Sequence, residues 1–195
     1  MGRGGRQIAT QGAGRARRQA LPAPAGLGEE ELEVIDAWCG DEVPYLVNSY
    51  LRQGRPQHDT TASDEQMTEL ARWYVERLDH ILERAPRLER ETVVYRGVSA
   101  QALAGAGPGT ELSEPGFAAA SLERERALAF AEEGEVLELT LPAGTPVLAI
   151  GEIEGLHRYR HEREILLPRG GAYRITGEGE GNRRCRFVWP ARGAA

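Results

Sequence analysis

From Glu29 to Arg84 the apolar residues recur at helical spacing, in three blocks separated by stop signals. The first block has acids in its opening turn, then Leu32, Ile35 and Trp38, with Gly40 as a stop. A second helix is expected from Asp41, with Pro44 in its first turn, Leu46, Tyr50 and Leu51 on its apolar face, and Gly54 at its end. Gln53 to Thr61 is polar and reads as a loop. Ser63-Asp64-Glu65-Gln66 has the form of a capping box and opens a long helix. Met67, Leu70, Tyr74, Leu78, Ile81 and Leu82 are expected to face inward there, and Pro86 ends it.

After Pro86 the period changes. Thr92 to Tyr95 is a short strand running into Arg96-Gly97, and Gly105 to Pro115 is a loop rich in Gly and Pro. Glu123 to Ala131 reads as a short helix with Ala127 and Phe130 on one side. Strand-like runs follow at Val136 to Leu141, Pro146 to Ile150, Glu162 to Leu167, Ala172 to Thr176 and Arg186 to Trp189. Helices first and strands later, without βα alternation, predict an α+β domain over Glu29 to Ala195. No internal repeat is evident.

Composition narrows the setting. A chain of 195 residues, 41% hydrophobic and 28% charged, suits one globular domain. No run approaches a membrane span, and the Arg-rich start lacks the apolar core of a secretory signal. The expectation is therefore residence in the cytoplasm, no membrane partner, and export, if any, by a route without a cleaved signal. Met1 to Gly28 contains Arg3, Arg6, Arg15, Arg17 and Arg18 and no acid, which leaves −11 of the net −6 charge on the remainder. That segment reads as a disordered basic tail, and the acidic body argues against nucleic acid as the main partner. All 24 basic residues are arginine, most simply a codon-composition effect. Cys39 and Cys185 have no metal-ligand spacing and read as structural, so no metal is expected.

One strand carries candidate chemistry. In His161-Glu162-Arg163-Glu164-Ile165-Leu166-Leu167-Pro168 two carboxylates lie two apart, and strand alternation would project both from one face. This is either a catalytic pair or a solvated edge-strand face.

Taken in order, Tyr95-Arg96-Gly97, Gly116-Phe117-x-x-x-Ser121 followed by Ala127-x-x-Phe130, and Glu162-x-Glu164 resemble the arginine, serine-motif and glutamate signature of mono-ADP-ribosyltransferases. The likeness is to the bacterial and phage exoenzyme-type enzymes and to the clostridial binary toxins that modify arginine on actin. Tyr45-Leu46-Val47-Asn48-Ser49-Tyr50-Leu51-Arg52 is similar to that family's Tyr-x-x-Ile-Asn-x-x-Leu-Arg helix. The resemblance runs from about Glu29 to Trp189. It implies the ADP-ribosyltransferase fold, N-terminal helices followed by two packed, mostly antiparallel sheets with NAD in the cleft between them.

The resemblance also implies roles. Arg96, a planar and permanently charged fork, suits the pyrophosphate, and Gly97 lets the backbone approach the nicotinamide amide. Glu164 corresponds to the catalytic glutamate beside an oxocarbenium-like ribose. Glu162 would orient and deprotonate the guanidinium of a protein arginine, since the family's Glu-x-Glu form goes with arginine and its Gln-x-Glu form with other acceptors. Asn48, Ser121 and Phe130 fall at cofactor-contacting positions, and His157 and Tyr159 where relatives present an aromatic residue to the protein substrate. One departure stands out: Ala119-Ala120-Ser121 replaces the usual Ser-Thr-Ser, so the hydroxyl that helps hold the catalytic glutamate is missing. A weakly active or inactive NAD-binding interaction module, and a plain NAD glycohydrolase, are therefore the alternatives to a toxin, effector or phage transferase.

Overall fold

The computed structural model describes residues 21–22, 24–131, 134–179 and 182–189. Three helices come first: α1 (Glu29–Trp38), α2 (Glu42–Gln53) and α3 (Asp64–Arg84). Their boundaries follow from the capping chemistry in the sequence. Gly54 ends α2 in the left-handed region at φ 77°, and Ser63 and Gln66 form the expected reciprocal capping box on α3. The inward stripe of α3 is Ala71, Val75, Leu78, Ile81 and Leu82. Leu70, expected inward, is 41% exposed, because it lies one position behind that stripe, on the flank turned to the α2–α3 loop.

Among the described residues eight strands and one further α-helix follow: β1 (Thr92–Val98), β2 (Glu111–Glu114), β3 (Ala118–Ser121), α4 (Arg124–Phe130), β4 (Glu135–Leu141), β5 (Leu148–Ala149), β6 (Glu164–Leu167), β7 (Gly171–Gly179) and β8 (Asn182–Val188). They hydrogen-bond in the order β2-β7-β8-β4-β1-β3-β6-β5, all antiparallel except β4 with β8. The two expected sheets are present as two limbs, β2-β7-β8-β4-β1 and β3-β6-β5. A single register pair, Tyr95 with Ser121, joins them.

Alternation along β6 shows how the limbs and helices are arranged. Ile165 and Leu167 enter the core between the limbs, with Val94, Leu139, Ile175 and Phe187. Leu166 points the other way, into the core formed with α1 and α3 by Ile35, Trp38, Leu78 and Ile81. Most of the expected tail lies outside the described residues. At its described end Leu21 is 7% exposed within the inter-limb core, so the chain is seated before Gly28.

Several strand boundaries differ from expectation. β5 is only Leu148–Ala149, since Pro146 has no N–H to give a ladder and makes an isolated bridge with Arg87. β2 was expected to be loop. Its Glu-Leu-Ser-Glu sequence has no apolar alternation, and pairing with β7 alone defines it. β6 starts at Glu164 rather than Glu162, because Arg163 is left-handed at φ 52°.

Gly97 packs β1 directly against α4. A Cβ there would lie 2.4 Å from the Ala127 carbonyl oxygen and 2.7 Å from the Ala131 nitrogen, both backbone atoms, so the glycine serves helix packing before any ligand. Gly97→Ala is expected to push α4 off β1 at a cost of about 1–3 kcal/mol. The thermal midpoint should then fall by roughly 3–10 °C for a domain of this size. An unchanged melt by circular dichroism would show that α4 does not pack on β1 in this way.

Candidate active site

Where the limbs separate, they leave a cleft of about 430 Å³. It is walled by the end of α1, by α2, by the strands on either side of the joint and by α4. Seven of the candidate residues converge on it: Asn48, Arg96, Gly97, Ser121, Phe130, Glu162 and Glu164.

Asn48, on α2, acts first on the wall. Its Oδ1 accepts from the Phe117 N–H at 2.9 Å and its Nδ2 donates to the Phe117 carbonyl at 3.2 Å. A Cβ on Gly116 would meet Asn48 Oδ1 at 2.4 Å, so glycine is required for this clamp. Phe117 is fully buried and meets the Trp38 ring edge-on at 5.7 Å between centroids.

Arg96 crosses the gap between the limbs. Its Nη1 donates to the Ala119 carbonyl at 2.6 Å and its Nη2 to Glu114 Oε2 at 3.3 Å, while its Nε is buried without a partner. Glu114 also takes a bidentate pair from Arg52, at 3.0 and 2.9 Å, and accepts the Gly116 N–H at 3.0 Å. Two guanidinium groups therefore share one carboxylate, and the side chain of Arg52 is still 41% exposed. A surplus positive charge at a half-buried wall is a site for an anion. Arg52 stood in the helix motif, one turn after Asn48 and on the same face. Glu114 carried no sequence signal beyond being an acid in a Gly/Pro-rich stretch.

The carboxylate pair lies opposite. Glu162 belongs to the turn before β6, with its N–H bonded to the Tyr159 carbonyl, so the strand-alternation argument does not apply to it. The left-handed Arg163 kinks the chain instead, and Glu162 and Glu164 both line the cleft. Ser121 pins the turn: its hydroxyl donates to the Glu162 carbonyl at 2.9 Å and accepts the Glu123 N–H at 3.1 Å. Ser121 thus holds backbone, and Ala119, two residues before it on β3, lines the cleft with no hydroxyl.

Burial, foremost, and the neighbouring Glu162 push the Glu164 carboxyl up to about 7, against the pull of the Trp38 indole N–H and the Arg96 charge. The same negative pair, after burial, pushes the half-buried Cys39 thiol up to about 12, which leaves it neutral and a poor nucleophile. Trp38 and Cys39 were read from the sequence as core or incidental. Their place in the cleft comes from a crossing of α1 over β6 that no local pattern encodes.

The remaining expectations divide. Phe130 stands at the mouth of the cleft with 71% of its surface exposed, whereas Ala127, expected beside it, is buried under β1. Tyr159 is not presented outward: its hydroxyl donates to Asp36 Oδ1 at 2.9 Å and its ring packs on the helical core. His157 is exposed. Among the described residues no group of three or more His, Cys, Asp or Glu side chains is arranged to hold a metal ion, and no helix is long and apolar enough to cross a membrane.

Comparison with known proteins places this geometry. No curated protein matches the chain. Among solved structures it is similar to C3stau2 from S. aureus with NAD, at 17% identity and TM-score 0.65 over 86% of this chain and 90% of that one. It is similar to the ADP-ribosyltransferase Vis from Vibrio splendidus in complex with agmatine, at 19% identity and TM-score 0.63 over 89% and 80%. It is also similar to Plx2a, an ADP-ribosyltransferase toxin from Paenibacillus larvae, at 21% identity and TM-score 0.60 over 84% and 88%. These likenesses show a shared fold. The family model of the ADP-ribosyltransferase exoenzyme matches residues 23–186, nearly the whole described region, and the chain belongs to that family.

Proposed function

We propose that the cleft cleaves the nicotinamide–ribose bond of NAD and transfers ADP-ribose to an arginine side chain of a protein target, as a toxin or effector. The observation that carries the arginine reading is that Glu162 and Glu164 line the same cleft as a pair of carboxylates. Glu162 provides the second carboxylate, 26% exposed, positioned to receive a cation. A guanidinium is attracted there electrostatically and can be bound bidentately. The agmatine bound in the Vis structure, itself a guanidinium compound, supports this acceptor class.

NAD is the co-substrate, and the residues present fit it. Arg52 and Arg96 are placed for the pyrophosphate, with the buried Arg96 Nε still to be satisfied. The exposed Phe130 ring offers a face for a planar base at the cleft mouth. Glu164, once ionised, holds a negative charge where positive charge develops on the ribose, in a half-buried site where that charge is weakly screened. Glu162 takes the proton from the attacking guanidinium nitrogen as the new bond forms.

The two carboxylates are expected to separate by mutation. Glu164→Gln should remove NAD hydrolysis and protein transfer together, by several powers of ten. Glu162→Gln should leave hydrolysis near wild type and lower transfer by about 10²–10⁴-fold. The assay is labelled NAD with a cell lysate, followed by peptide mass spectrometry. Label on residues other than arginine would overturn the acceptor assignment, free ADP-ribose alone would mark a glycohydrolase, and neither product an interaction module.

The pH dependence follows from the raised Glu164 carboxyl. The rate needs its ionised form, so kcat/KM for NAD should rise through about pH 7 and level off above it. Stability runs the other way. A carboxyl whose value is raised on folding contributes stability that is present below its ordinary value near 4.5 and is lost as pH rises through about 7. Glu164→Gln should therefore be more stable than wild type at pH 8 and lose that advantage below about pH 5. Thermal melts across pH 4.5–8.5 check the sign.

A further inference from the structure

One carboxylate ties together three stretches of chain around the cleft. Glu114 ends β2 and is 7% exposed, and its own carbonyl accepts the Gly170 N–H at 3.1 Å, so its backbone is anchored to the chain entering β7. Both of its carboxylate oxygens are fully used. Oε1 accepts from Arg52 Nε at 3.0 Å and from the Gly116 N–H at 3.0 Å, and Oε2 accepts from Arg52 Nη2 at 2.9 Å and from Arg96 Nη2 at 3.3 Å. β2 and β1 stand at opposite ends of their limb, so the contact from Glu114 to Arg96 closes that limb on itself, and the contact to Arg52 fastens α2 to the same point. These bonds also decide what is left for a ligand. Arg52 gives Glu114 its Nε–Nη2 edge, while its Nη1 takes no part in these bonds, in a side chain that is 41% exposed and lines the cleft. Arg96 gives Glu114 and the Ala119 carbonyl one nitrogen each, and its Nε is buried without a partner.

We infer that Glu114 is a positioning residue for the co-substrate: it holds Arg52 and Arg96 as one preset fork for the pyrophosphate, and it does so by reach and number of acceptors as well as by charge. Glu114 does not itself line the cleft, so it acts through the two guanidinium groups. Arginine side chains are long and flexible, and ordering two of them at the moment of binding weakens affinity; a carboxylate that has already fixed both removes that penalty. The arrangement tolerates neither near neighbour of glutamate. Glutamine keeps the length but puts an NH2 group where one oxygen stood. Whichever way the amide turns, that group meets two donors: Arg52 Nε and the Gly116 N–H at one position, Arg52 Nη2 and Arg96 Nη2 at the other. Aspartate keeps the charge but is one methylene too short to reach both arginines from an anchored backbone. A carboxylate present merely to offset positive charge would behave in the opposite way, since aspartate would replace it and glutamine would leave a stronger anion site. This assignment rests on the reading of the cleft as an NAD site, and a binding measurement without turnover separates the two.

The first test is isothermal titration calorimetry of the full chain with NADH, which carries the pyrophosphate but whose uncharged ring is a poor leaving group. Glu114→Asp and Glu114→Gln should each weaken binding by about tenfold or more, the scale of a lost charge-assisted hydrogen bond. Wild-type affinity in Glu114→Asp, or tighter binding in Glu114→Gln, would overturn the proposal in favour of simple charge compensation. In NAD hydrolysis both variants should raise KM by a similar factor while kcat changes by less than about threefold, because contacts to the pyrophosphate are alike in the ground and transition states. A lower kcat at unchanged KM, as a smaller folded fraction gives, would reduce Glu114 to a support of the fold and also overturn it. Should both variants fail to fold, Arg52→Lys keeps the charge on a partly exposed side chain but cannot make the two-bonded contact. NADH binding about tenfold weaker in that variant supports the proposal, and unchanged binding overturns it. A wild type that binds NADH in a Glu114-dependent way and cleaves no NAD sinks the proposed function and leaves this assignment standing, whereas a wild type that binds no NADH sinks both.

Discussion

Everything at this site follows from the place where the sheet divides. β1 and β3 share one register pair, Tyr95 with Ser121, so the Ala119 carbonyl, two residues back along β3, faces a gap instead of a neighbouring strand. A buried carbonyl left there would cost about as much as a lost hydrogen bond. Arg96 satisfies it, donating to Ala119 across the gap at 2.6 Å. Bringing a guanidinium that far inside then requires a counter-charge, which Glu114 supplies. Glu114, itself 7% exposed, in turn gathers Arg52 and the Gly116 N–H, and with them the α2 wall and the loop before β3. The anion-binding surface is thus a consequence of how a forked sheet satisfies its backbone.

The opposite wall faces the reverse problem, two like charges close together. Two ionised carboxylates in a half-buried site repel strongly, and the protein separates their behaviour by surroundings. Glu164 lies at the base of β6 beside Trp38 and Arg96, while Glu162 sits in a turn with 26% of its side chain exposed. Both reach the cleft because Arg163 adopts a left-handed backbone at φ 52°, a strain of order 1 kcal/mol or more for a non-glycine residue. The bonds from Leu122 N–H to the Arg163 carbonyl and from Ser121 to the Glu162 carbonyl hold that turn in place.

The legible parts of the chain were those encoded locally. Helix caps at Ser63 and Gly54, the inward stripe through Leu78 and Leu82, and the apolar run of Ile165 to Leu167 are short-range signals, and the structure follows them. The motif residues Asn48, Arg96, Ser121, Glu162 and Glu164 were legible by family likeness, and they meet in one cleft. The actual contacts depended on long-range pairing. Nothing near Glu114 shows that it will meet Arg52, 62 residues away, and nothing in an amphipathic helix shows that its final tryptophan will face a carboxylate on β6. The Glu-x-Glu geometry is instructive too. The two side chains converge as alternation suggested, but the pleat is not the cause; a kink at the intervening Arg163 is.

The local arrangement also explains how an acidic body can take an anionic co-substrate. Excluding the first 28 residues, the chain carries −11, which at first sight should repel a dinucleotide. Surface charges act over a Debye length of about 8–10 Å at physiological salt, and several exposed acids are paired with arginines, as in Glu30 with Arg77 and Glu111 with Arg174. Inside the cleft screening is weaker, so the nearest groups decide. On one wall two guanidinium groups oppose a single carboxylate, leaving a positive surplus; across from them the carboxylate pair leaves a negative one. A ligand with an anionic middle and a cationic end fits only one way round in such a field, and a cationic acceptor approaching from solvent is drawn to the negative wall alone. Net charge governs solubility and encounter, but the polarity across this cleft sets which part of each reactant meets which residue.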